Sequence, residues 1–202
     1  MIRVSGKVYL DLRWSGTEHV PTSGPLLIMA NHQSNWDPPL IGGVCEQRRF
    51  NYLAKKSLFK FPPLAWLIRS LDAIPIDRDG MGIEGVKETL RRLKRDEAVL
   101  VFPEGQRSNT GELEAFMPGF LAFLRRTKAE IVPVGIDGMF ESWPRTRPLP
   151  QPGRVYIQFG EVMSCAVIDA LSDDELTAEV ERRIRVCFEQ ARTMLGKHAA
   201  AH

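Results

Sequence analysis

Hydrophobic positions along the chain form two kinds of segment that alternate. One kind is a short run of apolar or β-branched residues, as in strands buried within a sheet. The other repeats apolar positions at helical spacing. Strands that alternate with helices indicate an α/β domain. The predicted strands span residues 25–30, 50–54, 73–76, 98–102, 131–136 and 154–159.

Three segments carry the helical pattern: residues 82–95, 116–126 and 172–196. The last of them has the clearest start. Ser172 and Glu175 have the spacing of a capping box, in which each side chain accepts the backbone N–H of the other residue. An apolar stripe follows, formed by Leu176, Val180, Ile184, Cys187 and Ala191.

The chain of 202 residues shows no internal repeat and no linker that would divide it. That length suits one domain with a substantial core. We therefore expect a single domain over residues 1–202, with its motifs within about 20–160 and a C-terminal helix over about 172–196. The four prolines of residues 144–152 predict an irregular surface loop.

Composition excludes some classes of function and changes little else. The 27 basic and 25 acidic residues leave a net charge of only +2, so nothing favours nucleic acid as a partner. The three cysteines are widely spaced and without a CxxC pair, which predicts free thiols in a reducing compartment. No apolar run approaches the roughly 20 residues of a transmembrane helix. We expect a protein that is soluble or peripheral to a membrane.

The strongest chemical motif is NHQSNWD at residues 31–37, directly after the first predicted strand. If the chain turns back into a helix, Asp37 can hold one nitrogen of His32 and leave the other free to take a proton. The amides after His32 are candidate donors to an oxyanion. In the alternative interpretation, His32 caps the next helix and Asp37 is only its first-turn acid.

A second motif, VLVFPEGQRS at residues 99–108, repeats this layout of a buried strand followed by a polar turn. Gly105 permits unusual backbone angles and the close approach of a ligand. Arg107 and Ser108 supply donors that suit phosphate oxygens. Glu104 has no obvious use in binding an anion, so we expect it to orient a cation or a backbone turn. The alternative is an ordinary β-turn with a solvated arginine.

Two further strands end in residues of chemical interest. The run AIPIDR at 73–78 would bring Arg78 to the same end of the sheet as a second guanidinium, or leave it solvated. The run IVPVGI at 131–136 contains Pro133, and proline within a strand is found at edges and bulges. This strand is therefore expected to form a pocket wall or an edge of the sheet.

Residues 55–69 mix cations with large apolar side chains, including Phe59, Phe61 and Trp66. One interpretation is a surface that faces lipid or lines an acyl chain, with lysines near anionic headgroups. The other is a core helix whose lysines extend to solvent. The adjacent prolines favour the first, because they would interrupt ordinary core packing.

The four motifs together resemble those of the glycerolipid acyltransferases, the family of 1-acylglycerol-3-phosphate and glycerol-3-phosphate acyltransferases. The matching segments are residues 31–37, 102–108, the strand ending at Arg78, and 132–134, within roughly 20–160. The first has the NHxSxxD form. Four motifs in the family's order are far more specific than any one of them.

This resemblance implies an α/β acyltransferase fold, with a mixed, mostly parallel sheet flanked by helices. His32 would be the general base and Asp37 its partner. Lys55 matches a lysine that the family often places before its second motif, and we count it with the substrate-binding residues. The resemblance assigns the acceptor phosphate site to Arg78, Glu104, Gly105, Arg107 and Ser108. Methionine stands at 117, where a lysine is common, and this is expected to weaken phosphate binding.

The implied activity moves a fatty acyl group from acyl-CoA or an acyl carrier protein to a lysophospholipid hydroxyl. The first choice of acceptor is 1-acyl-sn-glycerol-3-phosphate, which would give phosphatidic acid. No cofactor or metal is required, and we expect the protein on the cytoplasmic face of the membrane. The alternatives are another lysolipid or glycerol 3-phosphate as acceptor, a thioesterase, or a non-catalytic lipid-binding protein. A serine hydrolase is disfavoured because the chain has no GxSxG elbow.

Overall fold

The computed structural model describes residues 9–60, 62–70, 73–76 and 83–197, and within them seven strands form one sheet. The strands are β1 (Leu12–Ser15), β2 (Leu26–Ala30), β3 (Phe50–Lys55), β4 (Ala73–Ile76), β5 (Ala98–Val101), β6 (Glu130–Asp137) and β7 (Val155–Phe159). Their order across the sheet is β1-β7-β6-β2-β5-β3-β4. Only the β6–β7 pairing is antiparallel, which confirms the mixed, mostly parallel sheet.

Helices and short 3-10 turns connect these strands. The helices are α1 (Asp37–Val44), α2 (Pro62–Ser70), α3 (Ile83–Leu93), α4 (Leu121–Leu124), α5 (Met139–Ser142), α6 (Cys165–Ala170) and α7 (Asp173–Met194). The 3-10 turns span Thr17–His19, Lys56–Lys60 and Pro118–Phe120. The six predicted strands are all present within one residue of their expected bounds. The helix expected over 116–126 is instead a 3-10 turn followed by the single turn of α4.

Strand β2 is buried on both faces, which explains its uninterrupted apolar sequence. Leu26, Ile28 and Ala30 pack on the face that also holds α1. Leu27 and Met29 pack on the opposite face, with the apolar stripe of α7. Apolar side chains therefore fill two layers, one on each side of the sheet.

The last helix, α7, lies against the central strand β6 at very short range. Its predicted capping box is present, with the Ser172 N–H 2.9 Å from Glu175 Oε2 and the Glu175 N–H 3.4 Å from Ser172 Oγ. A side chain at Gly135 would place its Cβ 2.2 Å from the backbone nitrogen of Phe188. Glycine at this position allows the helix backbone to rest directly on the strand.

Pro133 does not mark an edge strand, contrary to one of the two sequence-based expectations. Strand β6 lies between β2 and β7, and Pro133 pairs with Met29 of β2. Its carbonyl accepts the N–H of Gly160, 2.8 Å away, just beyond the last β6–β7 pair. The N–H that proline lacks would have faced the same side. An interior strand tolerates proline here because its neighbour ends at that point.

The prolines of the 55–69 segment begin a helix and do not interrupt one. Pro62 is the first residue of α2, a position where its missing N–H has no partner to lose. Ala65 and Ile68 are buried, whereas Trp66 is 69% exposed. This helix therefore packs by one face and presents a large aromatic side chain on the other. Within the described ranges, no helix is long and apolar enough to cross a bilayer.

Candidate active site

Three neighbouring strands, β6, β2 and β5, run parallel and end at the same edge of the sheet. The turn after β2 contains residues 31–36, and the turn after β5 contains residues 102–117. The end of β6 leads through Gly138 into α5. Strand ends of this kind commonly carry the functional groups of α/β proteins, and both chemical motifs of the sequence lie here.

His32 and Asp37 meet as the spacing predicted. Nδ1 of His32 lies 2.8 Å from Oδ2 of Asp37, whose side chain is fully buried. A carboxylate accepts hydrogen bonds and donates none, so a neutral His32 carries its proton on Nδ1 and a lone pair on Nε2. The imidazole is 16% exposed. This arrangement can accept a proton from a bound hydroxyl.

Two backbone amides fix the same carboxylate oxygen. The N–H groups of Gln33 and Ser34 donate to Asp37 Oδ2 over 2.6 and 2.7 Å. These amides point at Asp37, so the expectation that the turn after His32 offers oxyanion donors is wrong for both of them. Asp37 is also the first residue of α1, and its N-cap, Trp36, makes no side-chain capping bond. Asp37 therefore has the first-turn position of one sequence-based interpretation and also the bond to His32 of the other.

The face of the imidazole is covered by Phe102, the first residue after β5. The two ring centroids are 3.9 Å apart, and the planes differ by 16°. A stack this close restricts tilting of the His32 ring about its bond to Asp37. The turn after β5 thus contacts the reactive ring directly, through an apolar side chain.

Glu104 holds the backbone of His32. Its Oε1 accepts the N–H of His32 over 2.9 Å, and its Oε2 accepts the N–H of Glu114 over 3.3 Å. Burial raises the pKa of Glu104 to about 8, against the lowering effect of these two bonds, and the nearby Asp37 carboxylate adds to the rise. Of the two sequence-based alternatives, the geometry matches the carboxylate that orients a backbone turn.

Ser108 completes this attachment from the other side. Its N–H donates to the carbonyl of His32 over 2.7 Å, so both backbone groups of His32 bind the turn after β5. The buried hydroxyl of Ser108 donates to the Glu112 carbonyl over 2.7 Å and accepts the Gly111 N–H over 3.0 Å. The hydroxyl therefore stabilises its own loop.

Gly105 occupies a backbone conformation that other residues rarely adopt. Its φ is +69°, and its N–H closes a turn onto the carbonyl of Phe102 over 3.0 Å. An added Cβ would lie 2.7 Å from Sδ of Met117, whose side chain is 52% exposed. The half-buried Arg107 follows two residues later. Glycine at position 105 therefore allows both the turn and the close approach of the Met117 side chain.

Sequence reasoning missed two polar residues of the turn after β2. Asn31 is 1% exposed and bridges to β6, where it accepts the Ile136 N–H over 2.8 Å and donates to the Ile136 carbonyl over 2.9 Å. The only sequence signal was a polar side chain directly after a buried strand. Asn31 takes up the hydrogen bonding that the β2–β6 ladder leaves at its end.

Gln33 is the second missed residue, and its amide makes four hydrogen bonds. Nε2 donates to the Gly111 carbonyl over 2.8 Å and to Asp137 Oδ1 over 3.2 Å. Oε1 accepts the N–H groups of Met139 and Phe140, each over 3.1 Å. Gln33 therefore joins the turn after β2 to both neighbouring loops.

Two predicted site residues remain, Lys55 and Arg78, and the structure describes only the backbone of the first. Lys55 is the last residue of β3 and pairs through its backbone with Ile76 of β4. The side chain of Lys55 and the whole of Arg78 lie outside the described residues. Among the residues that the structure describes, no cluster of three or more His, Cys, Asp or Glu side chains could hold a metal ion.

Comparison with known proteins agrees with these motifs. A family model described as acyltransferase matches residues 11–137. Among curated relatives, the 1-acyl-sn-glycerol-3-phosphate acyltransferases of Streptococcus pneumoniae and Bacillus subtilis are 27% and 26% identical. Each match covers 89% of this chain, and it covers 66% of the first protein and 91% of the second. The chain thus spans slightly less than two thirds of the Streptococcus relative.

A solved structure is similar as well. The 1-acyl-sn-glycerophosphate acyltransferase PlsC from Thermotoga maritima superimposes with a TM-score of 0.78 at 26% identity, over 98% of this chain and 78% of that one. The likeness confirms the fold that the resemblance implied. The family match spans more than half of the chain and includes the motifs at residues 31–37 and 99–108. This chain belongs to the acyltransferase family.

Proposed function

We propose that the protein is an O-acyltransferase that moves a fatty acyl group from a thioester to the free hydroxyl of 1-acyl-sn-glycerol-3-phosphate. The observation that carries this proposal is the 2.8 Å contact between His32 Nδ1 and the buried Asp37. It orients the imidazole and leaves Nε2 to act as a base. The acceptor is chosen because the relatives carry its name.

In the proposed reaction, Nε2 of His32 removes the proton of the acceptor hydroxyl as its oxygen attacks the thioester carbonyl. A C–O bond forms, and the C–S bond breaks when the tetrahedral intermediate collapses. The imidazolium then returns the proton to the departing thiolate, so the proton balance closes without a covalent enzyme intermediate. Asp37 stabilises the imidazolium while it exists.

A positioned general base contributes about 10²–10⁴-fold to such a rate. The remainder must come from holding the hydroxyl and the thioester in line. The stack with Phe102 and the two backbone bonds of His32 restrict the base to one orientation. These contacts supply the positioning on the enzyme's side of the reaction.

For the acceptor phosphate, we assign the cations Lys55, Arg78 and Arg107, with Gly105 allowing the phosphate close to the backbone. Lys55 ends β3 at the edge of the sheet that also carries the turn after β5. The roles of Glu104 and Ser108 differ from this set. Their oxygens bind the backbone around His32 and the loop itself, so they position the site.

We also propose that the protein works peripherally on the cytoplasmic face of the membrane. The 3-10 turn Lys56–Lys60 and α2 follow the end of β3, and Trp66 of α2 is 69% exposed. Lysines beside an exposed aromatic side chain suit an anionic bilayer surface. The cytoplasmic assignment is supported by Cys45, Cys165 and Cys187, which are free thiols as a reducing compartment favours.

The activity is tested with purified protein and long-chain acyl-CoA, with and without 1-acyl-sn-glycerol-3-phosphate. Free thiol is followed by absorbance and lipid product by mass spectrometry, with the His32→Ala variant as the blank. We expect thiol release that depends on the acceptor, together with phosphatidic acid. Thiol release of equal rate without acceptor would identify a thioesterase. If no free thiol is released from acyl-CoA or from acylated carrier protein with any of a panel of lysolipids, the transferase proposal is overturned.

Membrane association is tested by co-flotation with liposomes that contain anionic or only zwitterionic lipids. We expect flotation with the anionic vesicles at low salt and a loss of about threefold or more in the bound fraction for Trp66→Ala. Val186→Ala on α7, a change of another exposed apolar residue, should leave binding unchanged. Failure of the unmodified protein to float at low salt would reject the membrane proposal alone.

A further inference from the structure

The end of α7 lies next to the loop that follows β6. Gly196, with a φ of +73°, turns the chain as the helix ends, and the N–H of Lys197 returns to the carbonyl of Arg192 over 2.9 Å. This turn directs the Lys197 side chain back to the sheet. Its Nζ lies 2.8 Å from Oδ2 of Asp137 and 2.6 Å from Oε1 of Glu141.

Asp137 connects this lysine to the turn after β2. Its side chain is 5% exposed, and its other oxygen, Oδ1, accepts a hydrogen bond from Nε2 of Gln33 over 3.2 Å. The backbone N–H of Gln33 donates to the same Asp37 oxygen that holds His32. A continuous series of contacts therefore runs from Lys197 through Asp137 and Gln33 to the His32–Asp37 pair.

The buried Asp137 carboxylate depends on Lys197 for a compensating positive charge. A carboxylate whose side chain is 5% exposed is costly to leave without a cation, and Lys197, whose side chain is 31% exposed, supplies that cation from nearer the surface. Burial alone would lower the pKa of Lys197, but its bonds to Asp137 and Glu141 outweigh burial and raise that pKa above its ordinary value. Lys197 thus stays charged and supplies the cation beside the Asp137 carboxylate.

We propose that Lys197 and Asp137 are positioning residues for the reaction, through which the end of α7 sets the orientation of the turn that carries His32. The inference rests on the proposed acyltransferase function. Without the Lys197 charge, the Asp137 side chain loses its cation and turns toward solvent. Gln33 then loses an acceptor that fixes its amide, and the 33–34 turn that holds Asp37 becomes less ordered.

Four variants separate this role from a merely structural one. Lys197→Met removes the charge at similar length, and Lys197→Arg keeps it. Asp137→Asn retains an oxygen for Gln33 without needing a cation, alone and combined with Lys197→Met. The matched control is Arg185→Met, which breaks an exposed ion pair with Glu181 on the same helix and has no contact with the turn.

We expect Lys197→Met to lower kcat about three- to tenfold and to change the KM values for donor and acceptor less than twofold. Lys197→Arg should keep kcat at the value of the unmodified protein, because the positive charge is retained. In the Asp137→Asn background the loss of Lys197 should cost less than twofold, because no charge remains to be neutralised. Arg185→Met should leave kcat unchanged.

A second readout does not depend on turnover. The hydrogen-bonded Nδ1 proton of His32 gives a downfield resonance in protein labelled with ¹⁵N-histidine, assigned by its absence from His32→Ala. We expect this signal to broaden or shift in Lys197→Met and to be unchanged in Arg185→Met and Lys197→Arg.

Two outcomes would overturn the inference. One is a Lys197→Met protein with unchanged kcat and an unchanged His32 resonance, whatever its melting temperature. The other is an equal loss of kcat in Arg185→Met. If the unmodified protein transfers no acyl group, the proposed function fails, and the His32 resonance still decides whether Lys197 orders the turn.

Discussion

The turns after β2 and β5 look alike in the sequence and behave differently in the structure. Each follows a buried apolar strand and has one buried carboxyl group: Asp37 directly after the first turn, and Glu104 within the second. Asp37 bonds to a side chain, the imidazole of His32, whereas Glu104 bonds only to backbone N–H groups. The first turn presents the proposed base. The second holds the backbone of that base.

The comparison teaches that a motif residue need not contact substrate to matter for the reaction. Both backbone groups of His32 are bound by Glu104 and Ser108, across more than seventy residues of sequence. Because the turn after β5 holds His32, the turn after β2 can be short and polar, and its Gln33 and Ser34 amides can bind Asp37. The following substitutions test this division of roles between the two turns, beginning with the strongest.

Removing the proposed base from the first turn should have the strongest effect on activity. His32→Ala should lower kcat at least about a hundredfold and change acceptor affinity little, because the imidazole acts in the transition state. Steady-state kinetics and acceptor binding measure the two quantities. Asn35→Ala, a change of an exposed residue of the same turn, should keep kcat within about twofold. Equal turnover in the His32 variant would reject the mechanism.

The second turn is tested through pH, since burial raises the pKa of Glu104 to about 8 from an ordinary value near 4.5. Between these values the folded protein keeps a proton that the unfolded chain releases, so Glu104 lowers the unfolding free energy as pH rises through this window. Glu104→Gln has no such proton. Relative to this variant, the unmodified protein should lose on the order of 2–3 kcal/mol between pH 5 and 8.

Denaturant unfolding across that pH range measures the difference, and every other ionisable group is shared by the two proteins. Below pH 4 and above pH 9 the difference should be constant, because both states of the unmodified protein then carry the same proton count at Glu104. A difference that grows in favour of the unmodified protein as pH rises would contradict the assigned burial of this carboxyl.

Asp37→Asn removes the charge of the carboxylate that binds His32 and retains the shape of its side chain. One amide oxygen can still accept the bonds that reach Oδ2 of Asp37. The imidazolium formed during reaction would lose its counter-ion, so kcat should fall about tenfold to a hundredfold. Kinetics with a parallel melting curve measures this. A loss of folding with no change in specific activity would assign Asp37 to structure alone.

Ser108→Ala should have the smallest effect. Its hydroxyl bonds within its own loop, and the backbone N–H that reaches His32 is retained. We expect a loss of about 1 kcal/mol in unfolding free energy and a kcat within about threefold. If instead the acceptor KM rises tenfold or more at unchanged stability, the hydroxyl binds phosphate and Ser108 belongs with Arg107.

Much of the fold and the central pair of the site followed from the sequence for local reasons. The apolar run of β2 needed burial on both faces, and the spacing of His32 and Asp37 suited a turn into a helix. The bounds of helix α1 were not predicted, because its sequence, DPPLIGGV, contains two prolines and two glycines. Both prolines lie in the first turn, where the missing N–H groups have no helical partner. Strand β1 was missed because its sequence, LRWS, has no apolar run and buries only Leu12.

The partners of Glu104 and Gln33 could not be read from local sequence. Glu104 binds the N–H of a residue that the sheet brings to it, and Gln33 binds loops after β5 and β6. Backbone groups carry no mark in a sequence, so a side chain that binds them gives no residue pattern to find. Lys197 was missed because its target, the Asp137 side chain, is distant along the chain.

The strand order has a consequence for how the protein is made. In β2, Leu26 pairs with Ala98 on one side and with Glu130 on the other. At a synthesis rate of about 5–20 residues per second, β2 waits several seconds for its second partner. During that interval its apolar side chains are exposed, and a chaperone that shields short apolar segments would have its best target there. The side chains of Asn31 and Gln33 complete their hydrogen bonds only when β6 joins the sheet, so slow refolding and a late gain of activity are expected together.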